Sequence, residues 1–272
     1  MRVGLNLAWS RTRRYGLFRL ALIMLLILTR VVLAQGDVGD VHQGKIVYEQ
    51  YCALCHGEQG DGNGHYREDT IPVPRDFRQG TFKWRSTPSG SLPTDADLEK
   101  VLVNGLFGTS MSGFSTSLTH RQRLDVIAYI KTFSPRFATE KPEPPITIPP
   151  EPAYTVESVT RGAVVYEKFN CAQCHGDRGR GDGPSADDLK DDWGNEIVPY
   201  DLTKGHPKCG NNGTDIYRVF NAGLNGTPMP SFADSISAAE AWDLVHFIQS
   251  LSADYPKNMT GAPSTPIGKG AL

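Results

Sequence analysis

The 272 residues are too many for one small domain and suit two units of about 100 residues each. Only 39 % are hydrophobic with glycine left out, and the 28 glycines and 19 prolines imply loop-rich units with little apolar side-chain core of their own. The first 34 residues hold six arginines and no acid; taking them from the 28 basic residues leaves 22 against 30 acidic ones, a net charge near −8. That balance excludes nucleic acid as a partner. It suits a partner with a basic docking face, or serves solubility alone.

The chain opens with a basic lead, Arg2, Arg11, Arg13, Arg14 and Arg19, followed by the apolar run Leu20–Thr29. That run falls short of the roughly 20 residues of a spanning helix and fits the core of a signal peptide, with Val32–Ala34 supplying small residues for cleavage before Gln35. Residues 1–34 are therefore expected to be a signal peptide. An uncleaved membrane anchor flanked by Arg19 and Arg30 is the competing reading. Either way the bulk of the chain is expected outside the cytoplasm, in a periplasm or equivalent compartment.

From residue 40 the chain follows one plan twice. A first helix runs into "CALCHG" at 52–57, and its repeat into "CAQCHG" at 171–176. "GDGNG" at 60–64 answers "GDGPS" at 181–185, and "PRDFRQGTFKW" at 74–84 answers "PYDLTKGHPKC" at 199–209. A middle helix is predicted after the N-cap Thr94, with Leu98, Val101 and Leu102 at helical spacing; Ile216, Val219 and Phe220 are the counterparts. Gly105 and Gly223 are natural stops. A last helix opens on a capping box in both copies, Thr119 with Gln122 and Ser237 with Glu240. It presents Leu124, Ile127 and Ala128, or Leu244, Phe247 and Ile248. "GTSMSGF" at 108–114 pairs with "GTPMPSF" at 226–232. Matched order makes this a duplicated domain, at 40–135 and 158–253. The proline-dense stretch between them, with a linker at 136–157, reads as extended, semi-rigid spacer. Residues 254–272 read as a loose tail. No strand pattern of any length is present, so the fold class is all-α.

Cys-x-x-Cys-His is the attachment signature of c-type haem. Two thiols reach two vinyl groups of one porphyrin, and the adjacent imidazole faces the iron. Cys52, Cys55 and His56, then Cys171, Cys174 and His175, each supply one set. Two covalent haems would also supply the core that composition lacks. A zinc knuckle would want a fourth S or N ligand of another kind, and a redox disulfide a βαβ surround that is absent. With Met259 and the leader set aside, only Met111 and Met229 remain as thioether donors, 55 and 54 residues after the two histidines. Their matched glycine-rich loops favour iron ligation over core filling. Pro230 stiffens the second loop, whereas Ser112 leaves the first looser.

On these motifs the chain resembles the class I cytochrome c family, and specifically diheme cytochromes of two tandem domains, each of about three helices wrapped around a covalent haem. The resemblance implies His56 with Met111 and His175 with Met229 as axial ligands, and first and last helices crossing at Gly44 with Tyr129 and at Gly162 with Phe247. It also implies export by the general secretory route, which sets aside the twin-arginine hint of Arg13-Arg14. Ser112 departs from the usual Met-Pro.

Other residues tempt. Cys209 aligns with Trp84 and reads as a loop substitution. His206, His65 and His120 have no histidine counterparts and read as surface. His246, opposite Ala128, either packs or faces solvent. Arg75, Arg78, Lys83, Trp84 and Arg85 either bind haem propionates or form a solvated loop; of the basic ones only Lys83 has a basic counterpart, Lys208.

The leading function is one-electron transfer between an exported dehydrogenase or quinol-oxidising complex and a terminal oxidase or reductase, with no catalytic residues. Two alternatives stand beside it: a diheme peroxidase, which needs an open iron and an acid–base group, and a haem-bearing subunit of a membrane respiratory complex.

Overall fold

Helix placement follows the capping residues. The computed structural model describes residues 38–205, 208, 210 and 212–252. The leader 1–34, His206, Cys209, Met259 and the tail 254–272 lie outside the described residues.

In the first copy, α1 (Val41–Tyr51) starts where the Asp40 carboxylate accepts from the amides of His42 and Gln43. The one-turn α2 (Ala53–His56) follows directly. Thr94 and Asp97 form the capping box of α3 (Asp95–Asn104), which stops at Gly105 with φ +69°. Thr119 and Gln122 do the same for α4 (His120–Lys131). A single turn, α5 (Arg136–Thr139), ends the copy. The second copy repeats the series as α6 (Val156–Lys168), α7 (Ala172–His175), α8 (Gly213–Ala222) and α9 (Ala238–Ser250). Among the described residues there is no strand, only two isolated bridges. The chain from Asp40 onward clusters as one unit.

First and last helices of each copy pack most closely, α1 on α4 and α6 on α9. A Cβ on Gly44 would land on the Asp125 carbonyl and stand 2.9 Å from the Cβ of Tyr129; on Gly162 it would meet the Asp243 carbonyl and stand 2.7 Å from the Cβ of Phe247. Only glycine permits these crossings. Tyr48 and Tyr129 then meet edge to face at 5.3 Å, and Tyr166 meets Phe247 at 5.2 Å. Each copy keeps its own apolar cluster. In α4 the buried apolar residues are Val126, Ile130 and the expected Ile127, whereas the expected Leu124 and Ala128 are half-buried.

The stretch expected as extended linker at 136–157 begins with α5 and ends in α6; residues 140–155 between them carry no helix or strand but are tied down. Glu143 N–H donates to Ser91 Oγ at 3.0 Å and Ile146 N–H to the Ser86 carbonyl at 2.8 Å. Ile148 and Tyr154 pack against the second core.

Equivalent residues of the two copies meet. Lys100 and Arg218, matched in the duplicated helices, both reach Asp215, at 2.5 and 2.8 Å. Arg85 is 4 % exposed. Its guanidinium donates to the carbonyls of Ala222 at 2.5 Å and Gly223 at 3.2 Å, capping the C-terminus of α8 from the other copy.

Candidate functional site

The proximal halves are built alike. Cys52 opens α2 and Gly57, at φ +78°, ends it directly after His56; Cys171 and Gly176, at φ +76°, do so for α7. The Tyr48 hydroxyl donates to the Gly57 carbonyl at 2.7 Å and Tyr166 to Gly176 at 2.8 Å, fixing the turn behind each histidine. The loop then folds back identically: Gly62 N–H to the His56 carbonyl and Gly181 N–H to the His175 carbonyl, Phe77 N–H to Gly60 and Leu202 N–H to Gly179.

His56 Nδ1 stands 3.1 Å from the Arg75 carbonyl, and His175 Nδ1 3.3 Å from the Tyr200 carbonyl. A carbonyl only accepts, so Nδ1 carries the proton and Nε2 presents a lone pair. Burial lowers the pKa of both imidazoles, keeping them neutral as metal binding requires. The first imidazole also stacks on Phe77 at 4.5 Å. Burial pushes the Cys52 thiol up to about 12 and Cys171 to about 11.

The Gly-Thr-x-Met sequence of each copy is a hydrogen-bonded device. Thr109 Oγ donates to the Leu106 carbonyl at 2.8 Å and accepts from Met111 N–H at 3.1 Å; Thr227 does the same with Leu224 at 2.8 Å and Met229 at 3.3 Å. Leu106 and Leu224 N–H close each turn onto the methionine carbonyl. Phe114 and Phe232 N–H then return the chain to Leu102 and Phe220.

All eight residues singled out by sequence line one continuous cavity of about 1140 Å³: Cys52, Cys55, His56 and Met111 from the first copy, Cys171, Cys174, His175 and Met229 from the second. Sites for a single small ligand run about 300–1,000 Å³, so this one exceeds a single-ligand site. Its wall is largely apolar, with Leu98, Val101, Leu102, Ile127 and Ile130 on one side and Ile216, Val219, Phe220, Leu244 and Ile248 on the other.

The basic loop divides, which neither simple expectation covered. Arg78 pairs with Asp76 at 2.7 Å, away from the cavity. Arg85 is consumed in capping α8. Arg75, Lys83 and Trp84 line the cavity, joined by Lys208. Burial, with Arg75 and Lys208 nearby, pushes Lys83 down to about 8; burial lowers Lys208 as well, and holds Arg75 down at about 10. Buried Trp84 Nε1 has no hydrogen-bond partner among the described residues. Arg75 is engaged with Trp193; uncompensated buried donors are costly, and carboxylates in the cavity would satisfy Lys83, Trp84 and Lys208. Two porphyrins, each with propionates, fit this donor set, the neutral imidazoles and the thiols at the cavity wall.

Comparison with known proteins agrees. The cytochrome c family model matches residues 41–134 and again 159–252, together more than half of the chain. The chain belongs to the cytochrome c family. Cytochrome c domains typically carry electrons, and two of them imply two covalent haem c groups. Among solved structures, a chain of the Kuenenia stuttgartiensis reducing HAO-like protein complex Kustc0457/Kustc0458 is similar, with 44 % identity and a TM-score of 0.76 over 78 % of this chain and 97 % of that one. No curated protein matches. No helix among the described residues is long and apolar enough to cross a membrane.

In this two-domain cytochrome c, sequence reading passed over three features. The paired tyrosines Tyr48 and Tyr166 stand four and five residues before the first cysteine of each motif. Thr109 and Thr227 recur in both Gly-Thr-x-Met stretches, a repeat that itself signals a shared role. The spacing from His56 to Pro74 is 18 residues and from His175 to Pro199 is 24, so the second copy carries six extra residues. His246 is completely buried, donating from Nδ1 to Ser158 Oγ at 2.8 Å, which settles its two readings in favour of packing.

Proposed function

We propose that this diheme cytochrome c carries single electrons outside the cytoplasm, as the electron-carrying partner of an HAO-like protein. The single observation that carries the electron-transfer reading is the shared cavity: both Cys-x-x-Cys-His runs and both methionine loops border one space. Haem iron supplies the one-electron couple when bound. His56 and Met111 hold the first haem and His175 and Met229 the second, with Cys52, Cys55, Cys171 and Cys174 as thioether anchors. Nitrogen on one side and soft sulfur on the other favour a raised potential. The apolar wall excludes water, and Lys83, Trp84 and Lys208 receive the propionates.

The HAO-like partner is carried over from the similar solved chain, nearly all of which aligns with this one. On this reading the donor or acceptor is an HAO-like protein outside the cytoplasm, in keeping with the leader expected at 1–34. A free shuttle between a dehydrogenase or quinol-oxidising complex and a terminal oxidase or reductase is the alternative. A peroxidase is disfavoured by the two equally built methionine loops.

Spectroelectrochemical titration of the haem-loaded protein should resolve two one-electron steps with no high-spin component and no turnover of hydrogen peroxide. A high-spin ferric haem that consumes peroxide would replace this reading with the enzymatic one. Co-purification with an HAO-like protein under native conditions supports the complex; elution alone supports the shuttle.

A further inference from the structure

The two methionine loops are built alike but are not held alike. Around the second loop the six-residue insertion makes a small hairpin. Lys190 bridges Glu196, Asp191 N–H donates to the Asn195 carbonyl at 2.9 Å, and the Asp191 carboxylate accepts from the amides of Trp193 and Asn195. Gly194 turns it at φ +82°. The hairpin touches the methionine loop directly, because Asp192 N–H donates to the Gly226 carbonyl at 3.2 Å. A Cβ on Gly226 would stand 2.6 Å from the Trp193 ring and 2.9 Å from Nη1 of Arg75.

Arg75 comes from the other domain. Its guanidinium lies 4.3 Å from the centre of the Trp193 ring, and its own carbonyl is the acceptor that orients His56. One residue thus touches the proximal side of the first centre through its backbone and the distal loop of the second through its side chain. Two neighbouring bonds tie the same regions. Arg67 Nη2 donates to Asn195 Oδ1 at 2.6 Å, and Gly90 N–H donates to Asn225 Oδ1 at 3.1 Å. The equivalent glycine, Gly108, is not crowded in this way among the described residues. Gly108 has open space where its Cβ would be, the first copy lacks the insertion, and Arg75 is matched by Tyr200.

We infer that Arg75 and Trp193 are positioning residues that brace the Met229 loop from the neighbouring domain, so that the second haem holds its thioether ligand more firmly than the first. The inference rests on the ligand assignment proposed above. It predicts an order of ligand exchange: cyanide added to the ferric protein displaces Met111 before Met229.

The test uses the haem-loaded full chain with Arg75→Gln and, separately, Trp193→Leu. Each is placed in a Met111→His background, where the remaining thioether band reports the second haem, and in a Met229→His background, where it reports the first. The readouts are the rate of cyanide binding and the pH at which the band is lost. A desolvated cation–aromatic contact supports an effect of about tenfold. Both substitutions should therefore speed cyanide binding at the second haem about tenfold and lower the pH of band loss, with the first haem unmoved. Arg78→Gln, on the same loop but paired with Asp76, should change neither. Unchanged exchange at the second haem, or equal acceleration at both, would overturn the inference. Absence of a thioether band in the Met111→His protein, before any change at Arg75, would overturn the ligand assignment instead, and the inference with it.

Discussion

At the residue scale, His246 shows how burial converts an ordinary histidine into a stability term. Its Nδ1 is engaged with Ser158 and its Nε2 has no partner in hydrogen-bonding reach, with Glu151 3.7 Å away. Tyr154 packs on the ring, and Asp243 and Arg161 lie close enough to bias it in opposite senses. Burial, with Arg161 acting in the same sense, outweighs Asp243 and lowers the folded-state value below the ordinary 6.5. Below about pH 6.5 the unfolded chain therefore binds more protons than the folded one, so stability is complete above that pH and declines as pH falls toward the folded-state value. Denaturant midpoints of the haem-loaded protein should fall between pH 7.5 and 5.5, and His246→Gln should flatten that fall. An unchanged slope in the variant would place the acid sensitivity elsewhere. The sequence marked this histidine as lacking a counterpart but could not choose between packing and solvent. That choice depends on a capping serine 88 residues away.

At the scale of elements, helix starts and stops were legible because each is set within four residues: Thr94 with Asp97, Thr119 with Gln122, Ser237 with Glu240, and the glycines that end α3 and α8. The haem-binding turns were legible for the same reason, since Cys-x-x-Cys-His is contiguous. What long-range packing decides was not. Arg85 looked like one more cation in a basic loop, yet it caps α8 of the other domain through two buried carbonyls. Losing two charge-assisted bonds to buried acceptors costs about 3–6 kcal/mol. Arg85→Met should lower the unfolding midpoint and split one thermal transition into two as the domains uncouple. A single transition at the native temperature would show that the guanidinium is not a clamp.

At the scale of the whole molecule, duplication explains both what was readable and what was hidden. Two copies of one plan announced two domains and two cofactors. The way they face each other left no contiguous trace, because it depends on Lys100 and Arg218 converging on Asp215 and on a hairpin present in one copy alone. That apposition merges two crevices into one cavity, and it brings Lys83 and Lys208, equivalent by descent, to the same wall. The apolar walls of both copies border that space, where two porphyrins would add to the side-chain core of these loop-rich units.

Electron paramagnetic resonance of the fully oxidised, haem-loaded protein tests this apposition most directly. The expected spectrum has two low-spin ferric centres in equal amount, broadened by their mutual interaction, with the broadening lost when one centre is reduced. A single centre, a high-spin signal, or two centres that ignore each other would contradict two nitrogen–sulfur-ligated haems sharing one cavity.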